Sequence, residues 1–294
     1  MHSIDRRQAA ILVILTVVWG FNWPVMKLGL ADYPPLTFRA MSLVLGVPVL
    51  GLALLAMKIP FRLPRRHWPE MARLTLTNMF IWHICIIVAL KSLASGRAAI
   101  LGYTMPIFSA VIGAMFFSAA LGARAWTGVA AAAVGVVLLL WYEFANLGGH
   151  PVAATVVLCS AALWALGTQL LRRTSIDAPT LTLSFWMTTI TAIGLTLIAA
   201  VVEGRQWRMP GEAAWWAIGY NAVLIFGFAH AAWFSLARSL PPVASTISVM
   251  FIPVLATFSG AWGLGEVLHW QDWAAMVLIV AAIALVLWPA PRKT

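Results

Sequence analysis

Long apolar runs separated by short polar connections dominate the pattern of this chain of 294 residues. Each run approaches the roughly 20 residues that an α-helix needs to cross the hydrocarbon core of a bilayer. The pattern predicts ten spans, at residues 9–28, 36–57, 71–90, 98–121, 126–141, 152–171, 181–202, 215–236, 243–264 and 273–288. Little of the chain is left for a water-exposed domain, so we expect an all-α integral membrane protein.

Landmark residues of the first half recur in the second half at a nearly constant spacing. Trp19 and Lys27 correspond to Trp164 and Arg172 at a spacing of 145 residues. Later pairs, at a spacing of 147, include Trp68 and Trp215, His83 and His230, Pro106 and Pro253, and Trp141 and Trp288. Residues 1–147 and 148–294 are therefore predicted to be two copies of one five-helix unit.

Five helices per copy is an odd number, so the second copy is predicted to enter the membrane from the opposite face. Inverted repeats are typical of secondary transporters, which bind substrate near the midplane between the copies. A channel can share this symmetry. Of the 19 Lys and Arg residues, 13 are predicted on the face of the two termini and five on the other, with Arg39 inside a span. Both termini are therefore expected in the cytoplasm.

The amino-acid composition supports a membrane protein and changes the interpretation of the net charge. Hydrophobic residues make up 62% of the chain and charged residues only 10%, against about 25% charged in soluble domains. The net charge of +10 would suggest nucleic acid in a soluble protein, but here the basic residues lie mostly in connections, as the positive-inside rule requires. Cys85 and Cys159 fall inside apolar spans without metal-ligand spacing, so neither a metal nor a cofactor is expected, and the partners are lipid and a small molecule.

Several motifs place the chain near a known family. The run from Trp19 to Pro24 with Lys27, the sequence Pro35, Phe38 and Arg39, and Pro106 in the fourth span resemble the EamA-type members of the drug/metabolite transporter superfamily. The resemblance covers nearly the whole chain. It implies a ten-helix inner-membrane exporter of small metabolites with a central cavity lined mainly by helices other than the fifth and tenth. The branch that looks most similar is that of the amino-acid exporters, including aromatic amino-acid exporters. Unlike the small four-helix multidrug relatives, this first span has no Glu.

Polar groups at membrane depth are costly and are therefore candidate site residues. His83 and His230 occupy equivalent positions of the two copies and form the leading pair. Trp19, Asn22 and Trp23 share one face of the first span, where an amide between two indoles would suit an amino acid. Each of these residues has a structural alternative, since a buried His or Asn can also hydrogen-bond to a neighbouring helix.

Arg39 lies near the outer end of the second span, either snorkelling to the headgroups or attracting a substrate carboxylate. Further candidate substrate contacts are Asn78, Tyr103, Trp164 and Trp186, with Trp82, Gln169, Tyr220 and Asn221 as weaker ones. Pro106 and Pro253 lie within equivalent spans, where each removes a backbone hydrogen bond, and we predict kinks that serve gating or packing.

The acidic residues constrain energy coupling. All nine fall at the ends of spans or in connections, so we expect facilitated diffusion or an exchange that uses no buried acid.

An enzyme is not expected, because no zinc-protease motif occurs. The preferred cargo is an amino acid with an aromatic or hydrophobic side chain. Other hydrophobic metabolites, cationic drugs, sugar phosphates and a channel remain as alternatives. Small residues spaced four apart in the fifth span, Gly128 to Ala132 and Ala131 to Gly135, favour packing within a monomer over a dimer.

Overall fold

The protein folds into a bundle of helices, described here from a computed structural model. The structure describes residues 6–118, 121–146, 149–229, 232 and 242–287, with only the backbone for residues 242–249 and 287. In this part of the chain the helices are α1 (Arg6–Gly29), α2 (Pro35–Ala56), α3 (Arg65–Leu90), α4 (Ser95–Phe116), α5 (Ala123–Ala145), α6 (Pro151–Leu171), α7 (Thr180–Val202), α8 (Glu212–Tyr220, continuing over Asn221–Ala229), α9 (Pro242–Leu264) and α10 (Trp270–Leu287).

The ten helices confirm the ten predicted spans. Helices α1 to α7 are each long and apolar enough to cross a bilayer. Proline opens α2, α6 and α9, where its missing N–H costs no helical hydrogen bond and its fixed φ suits the first turn. The fifth helix is longer than predicted, because the polar residues at both of its ends continue the helix.

The two copies pack with the same neighbours in each half. Helix α1 packs against α9 and α8, and its counterpart α6 packs against α4 and α3. Helices α2 and α7 pack against each other, as do α5 and α10. The division into two inverted copies stays a prediction, and these contacts between counterpart helices are of the kind that it implies.

Small residues on α5 serve packing inside the chain. A Cβ atom on Gly128 would lie 3.0 Å from the carbonyl oxygen of Ala282, and one on Gly135 would lie 3.3 Å from Cβ of Leu278. Both contacts are with α10. The small-residue stripe therefore lets α5 and α10 approach closely, as the sequence favoured.

Two helices depart from regular α-geometry at equivalent places. In α3 the residues Leu76–Phe80 form a π-helical turn, and in α8 the residues Asn221–Ala229 do the same. Such wide turns are often found at functional sites, because they shift the register of the side chains that follow. Hydrophobic patterning did not predict them.

The two matched prolines differ in the structure. Helix α4 is interrupted, with segments Ser95–Gly102 and Met105–Phe116, and Pro106 lies in the first turn of the second segment. Helix α9 runs without interruption through Pro253. Helix α4 is thus broken before Pro106, whereas α9 is not broken at Pro253, and the kinks and their role in gating stay predictions.

The connections alternate between two faces. Of the connections that the structure describes in full, α2–α3 and α6–α7 meet at one face, the inner face, which the charge pattern predicts to be cytoplasmic. The α1–α2 and α7–α8 connections meet at the opposite, outer face, as do the α3–α4 and α9–α10 connections. On the inner face, Glu70 accepts hydrogen bonds from the hydroxyls of Thr174 and Ser175, both at 2.8 Å.

Candidate functional site

A cavity of about 600 Å³ lies between the two copies. Its wall is built mainly from α1, α3, α4 and α6, with single residues from α2, α8, α9 and α10. It extends from Asn22 and Arg39, near the outer ends of their helices, to Leu121 and Arg172 at the inner face. Ligand sites in proteins have volumes of about 300–1,000 Å³, so this space suits one small molecule.

The predicted face of α1 lines this cavity. Trp19, Asn22, Trp23 and Met26 all contribute to its wall, as the helical spacing of three, four and seven residues requires. The side-chain nitrogen of Asn22 is 3.6 Å from the sulfur of Met26. The Asn22 amide oxygen is buried and has no hydrogen-bond partner among the described side chains and backbone, which leaves an acceptor at the cavity wall.

Four aromatic side chains form two edge-to-face pairs around the cavity. Ring centroids of Trp23 and Tyr103 are 6.3 Å apart, and those of Trp82 and Trp164 are 5.5 Å apart. Gly102 allows this arrangement, since a Cβ atom there would lie 3.0 Å from the Trp23 indole and 3.1 Å from that of Trp82. The break in α4 after Gly102 thus lies against the aromatic wall.

Arg39 places a positive charge at the outer end of the cavity. Its side chain is 2% exposed. One terminal nitrogen donates to the amide oxygen of Asn221 at 3.1 Å, and the other contacts the sulfur of Met26. Its guanidinium carbon also lies 5.8 Å from the ring centroid of Phe226. The side chain is therefore turned into the bundle and does not snorkel to the headgroups.

His83 lies in the same wall, one residue after Trp82. Its imidazole is buried and meets the Phe226 ring edge to face, with centroids 5.5 Å apart. The predicted partner, His230, lies outside the described residues. The pairing of the two imidazoles therefore stays a prediction.

Polar groups gather where the cavity reaches the inner face. Gln169 donates from its amide nitrogen to the backbone oxygen of Ser109 at 2.7 Å and to the Ser109 hydroxyl at 2.9 Å. Its amide oxygen accepts from Arg173 at 2.6 Å. Arg172 is exposed at this end. These contacts shape a polar mouth on the face predicted to be cytoplasmic.

Hydrogen bonds to helix ends close the outer face. The Lys27 ammonium donates to the backbone oxygens of Leu90, Lys91 and Leu93 at 2.9, 3.1 and 2.7 Å. These carbonyls end α3 and begin its turn to α4, where the helix itself leaves them without partners.

Two carboxylates cap helix N-termini at the same face. Glu203 accepts from the backbone N–H of Leu36 at 3.1 Å and of Thr37 at 2.7 Å. Glu266 accepts from the backbone N–H of Ser95 at 2.6 Å and from its hydroxyl at 2.9 Å. A carboxylate at a helix N-terminus is favoured by the free N–H groups and by the helix dipole.

Hydrogen bonds also join the α1–α2 connection to the residues before α8 at the outer face. Burial raises the pKa of the Tyr33 phenol, so the hydroxyl remains a donor at neutral pH. It donates to the backbone oxygen of Arg208 at 3.1 Å, and Arg208 in turn contacts the backbone oxygen of Asp32.

Two predicted site residues lie outside the cavity. Asn78 donates to the backbone oxygen of Leu74 at 3.1 Å and packs against Gly167. The Trp186 indole donates to the backbone oxygen of Phe61 at 2.7 Å and meets Trp68 at a centroid distance of 5.0 Å. Pro253 is not a lining residue either, although its neighbour Ile252 is.

Sequence reasoning missed several cavity residues. Ser109, Thr168 and Arg172 line the inner end, and Ile86, Met105, Ala110, Leu121, Ile225, Ile252 and Val286 complete the wall. The repeat carried a signal for Arg172, since it is the counterpart of Lys27. The apolar residues carried none, because an aliphatic side chain facing a cavity and one facing lipid have the same hydrophobic pattern.

Comparison with known proteins supplies an independent view. The EamA-like transporter family matches the chain twice, at residues 7–141 and 152–288. The chain is 27% identical to the uncharacterized inner membrane transporter YedA of Escherichia coli K12, covering 94% of this chain and 89% of that protein. It is 23% identical to the uncharacterized transporter YoaV of Bacillus subtilis, covering 87% of this chain and 88% of that protein.

Two further similarities concern cargo and fold. The chain is 24% identical to a probable amino-acid metabolite efflux pump of Salmonella typhimurium, covering 95% of this chain and 94% of that protein. A solved crystal structure shares the fold with a TM-score of 0.68 at 20% identity, covering 95% of this chain and 96% of that chain.

Proposed function

Because the chain belongs to the EamA-like transporter family, we propose that it is an inner-membrane secondary transporter that exports small metabolites by alternating access. Its preferred cargo is an amino acid with an aromatic or hydrophobic side chain. The observation that carries this proposal is the cavity between the two copies, which reaches the exposed Arg172 at the inner end and is walled by the buried Asn22 and Arg39 at the outer end.

The cavity wall supports the choice of cargo. The indoles of Trp23, Trp82 and Trp164 with the Tyr103 ring offer edges and faces to a planar or apolar side chain, and such aromatic contacts contribute about 0.5–1.5 kcal/mol each beyond the burial of area. Polar groups at the two ends of the cavity leave room for an amino acid's charged end. A relative of similar length is named as a probable amino-acid metabolite efflux pump.

Export then requires only that the outer face opens while the inner face closes. Cargo enters past Arg172 and Leu121 and binds among the aromatic rings. The outer contacts of Lys27 and Glu266 break while the inner mouth closes, and the cargo leaves. Inverted repeats suit this cycle, because one packing arrangement can be adopted by either copy in turn.

The alternative cargoes would require cavities with different side chains. A carrier of phosphorylated sugars needs several clustered cations, whereas the two Arg residues of the described wall, Arg39 and Arg172, lie at opposite ends. A cationic drug would have to bind beside the buried charge of Arg39. Other neutral hydrophobic metabolites remain compatible with the aromatic wall and belong in the same assay.

The test is counterflow in proteoliposomes with a panel of labelled amino acids and neutral aromatic compounds. We expect saturable exchange of aromatic amino acids. Trp23→Ala and His83→Ala should lower it by at least about 5-fold, since each removes part of the cavity wall. Trp68→Ala is the matched control, because this indole also packs against another ring but lies outside the cavity. Absence of exchange for every amino acid, or an equal loss in the control, would overturn the proposal.

A further inference from the structure

Among the residues that the structure describes, Arg39 is a buried cation without an ion-pair partner. Eight of the nine acidic residues of the chain lie in this part, and the ion pairs found there involve Arg73, Arg97 and His269 but not Arg39. Within the same part of the chain, its Nε has no hydrogen-bond partner. The contacts it does make, to an amide oxygen and a thioether sulfur, carry no negative charge.

The acidic residue at the start of α2, Glu203, already accepts hydrogen bonds from that helix. Glu203 accepts from the backbone N–H groups of Leu36 and Thr37 and from the Thr37 hydroxyl, at 2.7–3.1 Å. Both of its oxygens are used in this cap. Arg39, two residues further along the helix, is left with neutral neighbours.

A guanidinium stays charged at all accessible pH values. Leaving such a charge buried and unpaired costs several kcal/mol, which a ligand carboxylate recovers when it binds. Arg presents its N–H groups as a planar fork that matches the two oxygens of a carboxylate. The position of Arg39 in the cavity wall makes it a receptor for an anionic group.

Asn22 supplies the complementary group beside it. The side chains of Asn22 and Arg39 both contact the sulfur of Met26, so they are close neighbours. The unpartnered amide oxygen of Asn22 accepts hydrogen bonds and suits an ammonium group. The Arg39 guanidinium and the neighbouring Asn22 amide oxygen thus match the carboxylate and the ammonium group of a zwitterion.

We propose that Arg39 and Asn22 form the subsite for the charged end of the cargo, with the α-carboxylate on Arg39 and the α-ammonium on the Asn22 amide oxygen. This inference rests on the proposed function and names the recognition chemistry of the same cavity. The cargo enters polar end first, because Arg39 lies deepest from the inner mouth. Its side chain then lies among the aromatic rings of α1, α3, α4 and α6.

The wild-type protein provides the first test, which needs no variant. Competition of labelled phenylalanine counterflow should be strong with unlabelled phenylalanine and at least about 10-fold weaker with phenylalaninamide, which lacks the carboxylate, and with 3-phenylpropionate, which lacks the ammonium. If phenylalanine and phenylalaninamide compete equally, the subsite is wrong while the proposed function stands. If phenylalanine is not exchanged but 3-phenylpropionate is, the amino-acid cargo is wrong while a carboxylate receptor at Arg39 stands.

Arg39→Met is the second test, with Arg62→Met, in an exposed connection outside the cavity, as the control. We expect Arg39→Met to lose phenylalanine exchange by at least about 10-fold. Its melting temperature without ligand should equal or exceed that of the wild type, because an unpaired buried charge has been removed. Phenylalanine should raise the melting temperature of the wild type and of Arg62→Met but not of Arg39→Met.

Asn22→Leu separates the two halves of the subsite. It should erase the preference for phenylalanine over 3-phenylpropionate and leave the preference for phenylalanine over phenylalaninamide. Arg39→Lys keeps a point charge without the fork, so it should fold and retain a weakened preference for the carboxylate. Phenylalanine exchange and stabilisation at the wild-type level in Arg39→Met would overturn the proposal.

Discussion

Arg97 joins three helices at the outer face through buried charges. Its guanidinium forms two hydrogen bonds with Asp272 of α10, at 2.8 and 2.9 Å, and contacts Glu143 of α5. The Tyr142 ring lies 4.2 Å from its guanidinium carbon. All three charged side chains are at most 8% exposed. One cation thus compensates the charges of two buried carboxylates, which also accept hydrogen bonds from the backbone N–H groups of His150 and His269.

Removal of this cation should destabilise the fold strongly. We expect Arg97→Met to lower the free energy of unfolding by roughly 3–5 kcal/mol, because it leaves two buried carboxylates unpaired. Thermal unfolding in detergent measures the effect, and addition of Asp272→Asn should restore part of the loss. Arg62→Met, in an exposed connection, is the control. A wild-type melting temperature for Arg97→Met would contradict this account of the cluster.

At the same scale, the sequence identified part of the cavity wall. Trp19, Asn22 and Trp23 were predictable because helical spacing puts polar and aromatic residues on one face, and the cavity lies on that face. Asn78 and Trp186 met the same criteria and lie elsewhere. A polar side chain in a span can bond to its own helix, as Asn78 does, or to a connection, as Trp186 does. Residue type alone does not distinguish these partners.

At the scale of elements, α1 and the α9–α10 connection hold the turn between α3 and α4 from two sides. Lys27 of α1 binds the backbone oxygens that end α3, and Glu266 binds the backbone N–H that begins α4. A Cβ atom on Gly96 would lie 2.7 Å from the Cα atom of Thr257 on α9. The close approach of α4 and α9 at this end therefore depends on glycine.

Loss of the Lys27 contacts should loosen the outer closure. With Cys85 and Cys159 replaced by alanine, a cysteine at Ile86 in the cavity wall reports access from the outer face. We expect Lys27→Met to raise its modification rate by a membrane-impermeant thiol reagent roughly 10-fold, because three hydrogen bonds from a charged group are lost. Lys91→Met is the matched control, since only the backbone of Lys91 takes part. An unchanged modification rate in Lys27→Met would show that the hydrogen bonds of Lys27 do not hold the outer face closed.

Elements themselves were largely predictable, and their irregularities were not. Ten apolar runs specify ten helices, because a backbone in lipid must satisfy its hydrogen bonds within the helix. The π-helical turns of α3 and α8 depend on contacts between helices and leave no trace in hydropathy. Pro106 and Pro253 show the same limit, since one lies after a break and the other inside a continuous helix.

At the scale of the molecule, the two copies are alike in sequence and differ in environment. Lys27 is bound to helix-end carbonyls at the closed outer face, whereas its counterpart Arg172 lines the open inner mouth. The duplication was readable from the sequence, because tryptophan, histidine and proline recur in register. The difference between the two ends of the cavity was not, because hydropathy does not show how the ends of the helices pack.

Energy coupling belongs to this scale as well. The described residues of the cavity wall include His83 but no Asp or Glu. We therefore expect flux in proteoliposomes to follow the cargo gradient, and an imposed pH gradient to drive no accumulation. Dissipation of the gradient with an ionophore is the control. Proton-driven accumulation that Glu143→Gln or Glu266→Gln abolishes would contradict this expectation.

The aromatic wall has a practical consequence for the search for cargo. Trp19, Trp23, Trp82 and Trp164 surround the cavity, whereas Trp141, Trp216 and Trp262 are exposed on the outside of the bundle. Indole emission depends on local polarity, so a molecule that enters the cavity alters the light from the first group and leaves that of the second group unchanged. The protein thus carries its own optical reporter, and unlabelled compounds can be screened by titration alone.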